Sequence, residues 1–167
     1  MEDLDMANSS LIQWTPGPVV MLWDMDNVLT GRQDVPGLAR LLGDFGGPEV
    51  RRVAAGHFVT CRAHGATARK TGFEVLNGGR RPQGADRLLL RQASRQAKRG
   101  ARHFWVVSND GGFSRVADAG YLTVLTLDET RVSTRLRSAA LTVISLRRSA
   151  DEWRIQYRDG ARFTPAV

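Results

Sequence analysis

Five apolar residues, Val19-Val20-Met21-Leu22-Trp23, run without a break into Asp24-Met25-Asp26-Asn27. A segment apolar on both faces belongs inside a sheet, and parallel sheets read this way because helices cover both of their faces. Its acids then fall at the carboxyl edge, where open α/β sheets bind their ligands. Neighbouring carboxylates repel, and a bound cation commonly holds such a pair together. The competing reading is local: Asp26 or Asn27 caps the helix that follows.

The same pattern returns along the chain. Phe104-Trp105-Val106-Val107-Ser108 is a second buried run and ends in Ser108-Asn109-Asp110. Residues 121–127 form a further strand, ending at Asp128-Glu129. Residues 50–60, with Val53, Phe58 and Val59, and residues 72–76 read as the remaining strands. Helices fall between them. Leu38, Leu41 and Leu42 share one face over 35–42, residues 62–70 form a second helix, and the clearest spans 85–99. A helix through Phe113, Val116 and Ala117 leads to Gly120. Strands and helices alternating at this spacing predict an α/β fold, a three-layer α/β/α arrangement around a central parallel sheet, over residues 18–138. Residues 1–17 read as an N-terminal tail and 139–167 as a small C-terminal β extension. In the extension, 141–146 and 153–157 are strands, and Arg158-Asp159-Gly160 is a hairpin turn before 161–164. It could lengthen the sheet edge, contact RNA or mediate dimerisation, and the pattern leaves all three open.

Length and composition narrow the setting. A chain of 167 residues with 42% hydrophobic and 25% charged residues suits one globular domain. No apolar run approaches the ~20 residues that span a bilayer. The first ten residues are acidic and polar, without the basic start of a secretory signal. One cysteine, Cys61, has no internal disulfide partner. A cytoplasmic location with no membrane partner is therefore expected. The net charge is +7, and since Lys70 and Lys98 are the only lysines, 22 of the 24 basic residues are arginine. That balance favours a polyanion, RNA ahead of DNA, although GC-rich coding also inflates arginine.

Three acids share one description. Asp24 ends the first strand, Asp110 follows the 104–108 strand, and Asp86 opens the long helix. The first two belong at one carboxyl edge, and a helix packed above that edge would bring Asp86 to it. Hard divalent ions prefer oxygen ligands, so Mg²⁺ or Mn²⁺ is the expected cofactor. His57, His64 and His103 are scattered and form no pair. Each acid also has a local explanation: Asp86 complements the helix dipole, and Asp110 could cap the helix after it. Arg87, Arg91, Arg95 and Arg99, four apart on that long helix, could equally be a solvated face.

Asp24-Met25-Asp26-Asn27, Gly84-Ala85-Asp86-Arg87-Leu88-Leu89-Leu90 and Val107-Ser108-Asn109-Asp110-Gly111-Gly112-Phe113, in this order, resemble the NYN domain family of PIN-like nucleases. The resemblance covers roughly residues 18 to 128. It implies a metal-dependent endoribonuclease with Asp24, Asp86 and Asp110 as its acidic centre. Asn27 and Ser108 match positions that hold the loop or the metal's water shell. The chain departs from the family at Gly112, where a second acid is common. Asp26 adjoins Asp24 and could recover that charge; Asp128 is a more distant substitute, and Asp118 lies two helical turns on. Arg80 and Arg81, just before Asp86, are the candidate phosphate contacts. The departure keeps open a degenerate module that binds RNA without cutting it. The first motif also resembles haloacid-dehalogenase-like phosphatases, with Asp24 as nucleophile, Asp26 as general acid and Ser108 as a second motif. That chemistry needs a later lysine, and Lys70 and Lys98 both precede Ser108. A homodimer is left open.

Overall fold

The computed structural model describes residues 18–31 and 34–157. The expected tail over 1–17 and the turn and strand over 158–164 lie outside the described residues. Seven strands form one sheet: β1 (Val19–Asp24), β2 (Arg51–Gly56), β3 (Glu74–Asn77), β4 (His103–Val107), β5 (Tyr121–Thr126), β6 (Thr142–Ser149) and β7 (Glu152–Tyr157). Their order across the sheet is β3-β2-β1-β4-β5-β6-β7. All neighbours run parallel except β7, which is antiparallel to β6. The protein is thus α/β with a mostly parallel central sheet flanked by helices.

Among the described residues the α-helices are α1 (Val35–Asp44), α2 (Phe58–Lys70), α3 (Gly84–Lys98) and α4 (Thr134–Ala139). Period-two alternation along β1 divides the core. Val20 and Leu22 enter a cluster with Ala85, Leu89 and Ala93 of α3 and Leu136 of α4. Met21 and Trp23 enter another with Leu38, Ala39 and Leu42 of α1 and Ala68 of α2. Burial of both faces explains why β1 and β4 carry continuous apolar runs.

Two expectations need correction, and one element had no expectation. Phe58 and Val59 do not continue a strand. β2 stops at Gly56, and both residues open α2, where the His57 side chain accepts from the Val59 N–H. The cap decides there, and Val59 stays 59% exposed, which a central strand would not allow. The helix after Asp110 is a 3-10 helix, Gly111–Asp118. The short α4, capped by Ser133, went unread because only Leu136 of its six residues is buried. The segment beyond 139 takes the first of the roles left open: β6 and β7 lengthen the sheet. Trp153 and Ile155 of β7 pack on the α1 side of the core, and Arg148 of β6 pairs with Asp34 before α1 at 2.5 Å.

Candidate active site

Strand order reverses between β1 and β4: the chain builds outward from β1 to β2 and β3, then resumes on the other side with β4. The crevice outside the carboxyl ends at such a switch point is where doubly wound sheets take ligands. Asp24 ends β1, and Ser108, Asn109 and Asp110 follow its hydrogen-bonded neighbour β4. Asp24 continues the Val20, Leu22 alternation, so it faces the α3 side of the sheet.

Backbone contact brings α3 to this edge. A Cβ on Gly84 would stand 1.9 Å from the Gly78 carbonyl oxygen, and one on Gly78 would stand 2.5 Å from the Ala85 nitrogen. Only glycine permits that approach. The Gly78 N–H donates in turn to the Gly56 carbonyl at 2.8 Å. The end of β2, the end of β3 and the first turn of α3 are therefore clasped together, and Asp86 rides in on that turn.

The result is a cleft of about 220 Å³ lined by Asp24, Asp26, Asn27, Asp86 and Asp110, together with His57, Arg81 and residues 82–85. Asp24 is only 3% exposed. Its Oδ2 accepts from the Ser108 hydroxyl at 3.0 Å, while Oδ1 is buried without a hydrogen-bond partner. Burial first, then the nearby Asp86 charge, pushes the Asp24 carboxyl up to about 7; Asp26 adds to this, and the Ser108 hydroxyl and Asp26 backbone N–H offset part of it. Asp86 is raised as well, by burial and then by the charges of Asp110 and Asp26. The four acids thus sit in one another's field. An orphaned buried carboxylate oxygen is costly, and a proton or a cation relieves it.

The remaining expected site residues divide by role. Ser108 is fully buried and, besides donating to Asp24, accepts the Asp110 N–H at 3.1 Å. Asn27 Oδ1 accepts the Asn109 N–H at 2.8 Å, which ties the loop after β1 to the loop after β4. Asp26 is exposed, and its Oδ2 accepts the His57 N–H at 2.6 Å where α2 begins. Asp110 Oδ1 accepts the Gly112 N–H at 2.7 Å, so it caps the 3-10 helix and borders the cleft at once. Arg81 lines the cleft; Arg80 instead lies over the Phe58 ring, 5.0 Å from its centre, and is not on the wall. Asp118 lines a separate groove. Asp128 bonds the Thr130 N–H and hydroxyl and stands outside the cleft. Neither lysine lines the cleft. His57 belongs to the site and was passed over: with 58–60 read as strand, its place at a strand end was hidden.

A hard divalent ion would meet oxygen donors here, including the unpartnered Asp24 Oδ1. Among the described residues, no group of three or more His, Cys, Asp or Glu side chains is arranged to hold a metal ion. Mg²⁺, however, is often held by one or two carboxylates, with waters and substrate phosphates completing its shell. The donor chemistry fits on those terms. No protein-family model matches the chain, and no curated protein matches it. Among the described residues, no helix is long and apolar enough to cross a membrane.

Proposed function

We propose that the protein is a Mg²⁺- or Mn²⁺-dependent endoribonuclease that hydrolyses RNA phosphodiester bonds at the Asp24 cleft. One observation carries this reading: a carboxylate nine-tenths buried, with one oxygen unpartnered, stands at the switch point among three further acids. The resemblance of the same residues to NYN nucleases supports it. Asp24 and Asp86 would hold the ion, with Asp110 and Asp26 contributing charge or water contacts. When bound, such an ion supplies an activated water and stabilises negative charge on the phosphate.

The chain's own residues do the positioning. Ser108 fixes the Asp24 carboxylate from one oxygen and leaves the other without a partner. The Asn27–Asn109 bond holds the two loops at a set distance across the switch point. Arg81, on the wall, offers a guanidinium to a substrate phosphate. The test is cleavage of mixed RNA substrates in Mn²⁺ by the wild type and by Asp24→Asn. Cleavage at equal rates would sink the mechanism.

A second reading is an RNA-binding module that does not cut. The glycine at 112 favours it. Wild-type binding to RNA with no product under Mn²⁺ would select it. The phosphatase reading lacks a lysine in the cleft, and trapping an aspartyl-phosphate at Asp24 is what would revive it.

A further inference from the structure

We propose that the exposed face of α3 is a track for single-stranded nucleic acid, leading away from the acid cleft; the direction of the strand rests on the phosphodiesterase reading of that cleft. Asp86 lies in the first turn of α3 and lines the cleft. From the next residue onward, Arg87, Arg91, Arg95 and Arg99 are all exposed. Each step of four advances about 6 Å along the helix and turns about 40° around it, so the row is ~18 Å long. A step of that size is close to the separation of successive phosphates along one strand.

Several of the other arginines have their charge answered within the fold. Arg51 pairs with Glu74, Arg148 with Asp34 and Arg154 with Glu152, and Arg52 donates to four carbonyls. Among the described residues, the guanidiniums of Arg87, Arg91 and Arg95 of α3 and of Arg99 at its C-cap have no hydrogen bond or ion pair, as is also true of those of Arg62, Arg69, Arg81, Arg115 and Arg135; what sets the row apart is its regular spacing along one helix. α3 holds no acid after Asp86, so nothing on the helix neutralises the row, and like charges four apart destabilise a helix. A phosphate chain would supply the missing counter-charge. On the neighbouring face of α3, not lined by any of these four arginines, is a groove of about 650 Å³ whose lining includes Ala93, Lys98, Arg102, Arg115 and Val116. Asp118 is the one acid on its lining. A lining both apolar and basic suits a base with its phosphate.

The cleft selects a single strand over a duplex. Asp24 lies at 3% exposure in an opening of about 220 Å³, and a phosphate on a rigid double helix cannot enter that far.

The experiment measures binding without metal, in EDTA, by fluorescence anisotropy across a salt series. The probes are single-stranded RNA and DNA of roughly twelve nucleotides and the matching duplexes. The track variant is Arg91→Gln/Arg95→Gln/Arg99→Gln. The control, Arg62→Gln/Arg69→Gln/Lys70→Gln on α2 across the sheet, removes the same charge. We expect the track variant to bind at least ~10-fold more weakly at low salt, with a log–log salt slope smaller by about 2. The control should stay within about threefold. Either ranking of RNA and DNA supports the track and reports whether the 2′-hydroxyl is felt. Equal weakening in both variants would overturn it, as would duplex binding at least as tight as single-strand binding, or competition by poly-glutamate as strong as by the oligonucleotide. Because metal is absent, failure of the nuclease reading leaves this outcome untouched.

Discussion

β1 and β5 run parallel, and each delivers an aspartate to the carboxyl edge: Asp24 as the last residue of β1, Asp128 two residues past the end of β5. Asp128 spends its charge at once. Its Oδ1 accepts the Thr130 N–H and hydroxyl at 2.9 and 2.7 Å, and those bonds pull its carboxyl below the usual carboxylate range. Asp24 accepts from the Ser108 hydroxyl on one oxygen and has no partner on the other; the Asp26 backbone N–H offsets only part of its burial, and its carboxyl is pushed up to about 7. Both follow apolar strands, so composition and pattern do not separate them. The difference lies in what the fold leaves unsatisfied: an acid whose charge the backbone consumes is structure, and one whose charge is stranded is waiting for a cation.

The comparison breaks most sharply under Mn²⁺. Asp24→Asn should lose about 10³-fold in RNA cleavage, ~4 kcal/mol of barrier. Asp128→Ala should cleave within about threefold of wild type and show only a small fall in melting temperature from its lost cap. Rate assays on both variants side by side check this, and comparable losses would mean the two acids are equivalent after all. Next in size is Gly84→Ala. Its methyl would fall 1.9 Å from the Gly78 carbonyl oxygen, so the first turn of α3 has to lift and take Asp86 with it. Misplacing a site residue by about 1 Å costs up to ~10²-fold in rate, and overpacking costs roughly 1–3 kcal/mol of stability. Retained cleavage with full stability would show that the clasp does not position Asp86.

Stability against pH gives a smaller and separate contrast. The folded Asp24 carboxyl titrates near 7 against 3.8 when unfolded. Between those values the folded state binds more protons, so this group's contribution is full at acid pH and declines as pH rises from about 4 to 7. The decline is at most roughly 4 kcal/mol. Asp86, raised in the same direction, adds to it. Asp128 has the opposite sign, with stability present at neutral pH and lost on acidification. Chemical denaturation from pH 4 to 8 should therefore show Asp24→Asn gaining on wild type as pH rises. Saturating Mn²⁺ at pH 8 should narrow that gap by stabilising wild type alone. An identical pH dependence in both proteins would remove the stranded charge from the argument.

Much of this edge was readable in sequence because it depends on strand ends. A short apolar run such as Val19–Trp23, preceded by Pro16-Gly17-Pro18, reads as a buried strand, which places Asp24 at its end, and Ser108 and Asp110 follow from the 104–108 run by the same logic. The helical repeat around Leu89 and Ala93 placed Asp86 on a first turn. What escaped depends on through-space contacts. The clasp of Gly78 against Gly84 is a backbone approach across two elements, and the letters show only two glycines near a turn. His57 was obscured because Phe58 and Val59 have strand-like side chains, while the cap that makes them helical is the imidazole before them. Arg80 and Arg81 are adjacent and chemically alike, yet one faces a ring and the other the cleft, a choice set by the loop's path alone.

The finest test of the contrast is Gly112→Asp. If Asp24 marks a site one acid short, charge restored beside Asp110 should complete it; charge restored anywhere near Asp128 should not. Gly112 has no left-handed φ, and a Cβ there would stand 3.2 Å from Asp110 Oδ1. Asp110 must give by a few tenths of an ångström, and the new carboxylate lands next to its own. The Gly112 N–H that Asp110 caps is retained, so the 3-10 helix keeps its start. Mn²⁺ affinity, read by calorimetry, should rise several-fold, and cleavage should rise with it or first become measurable. No gain in either would mean that Asp26, whose Oδ2 holds the His57 N–H while its charge still reaches Asp24 and Asp86, already supplies what the glycine removed.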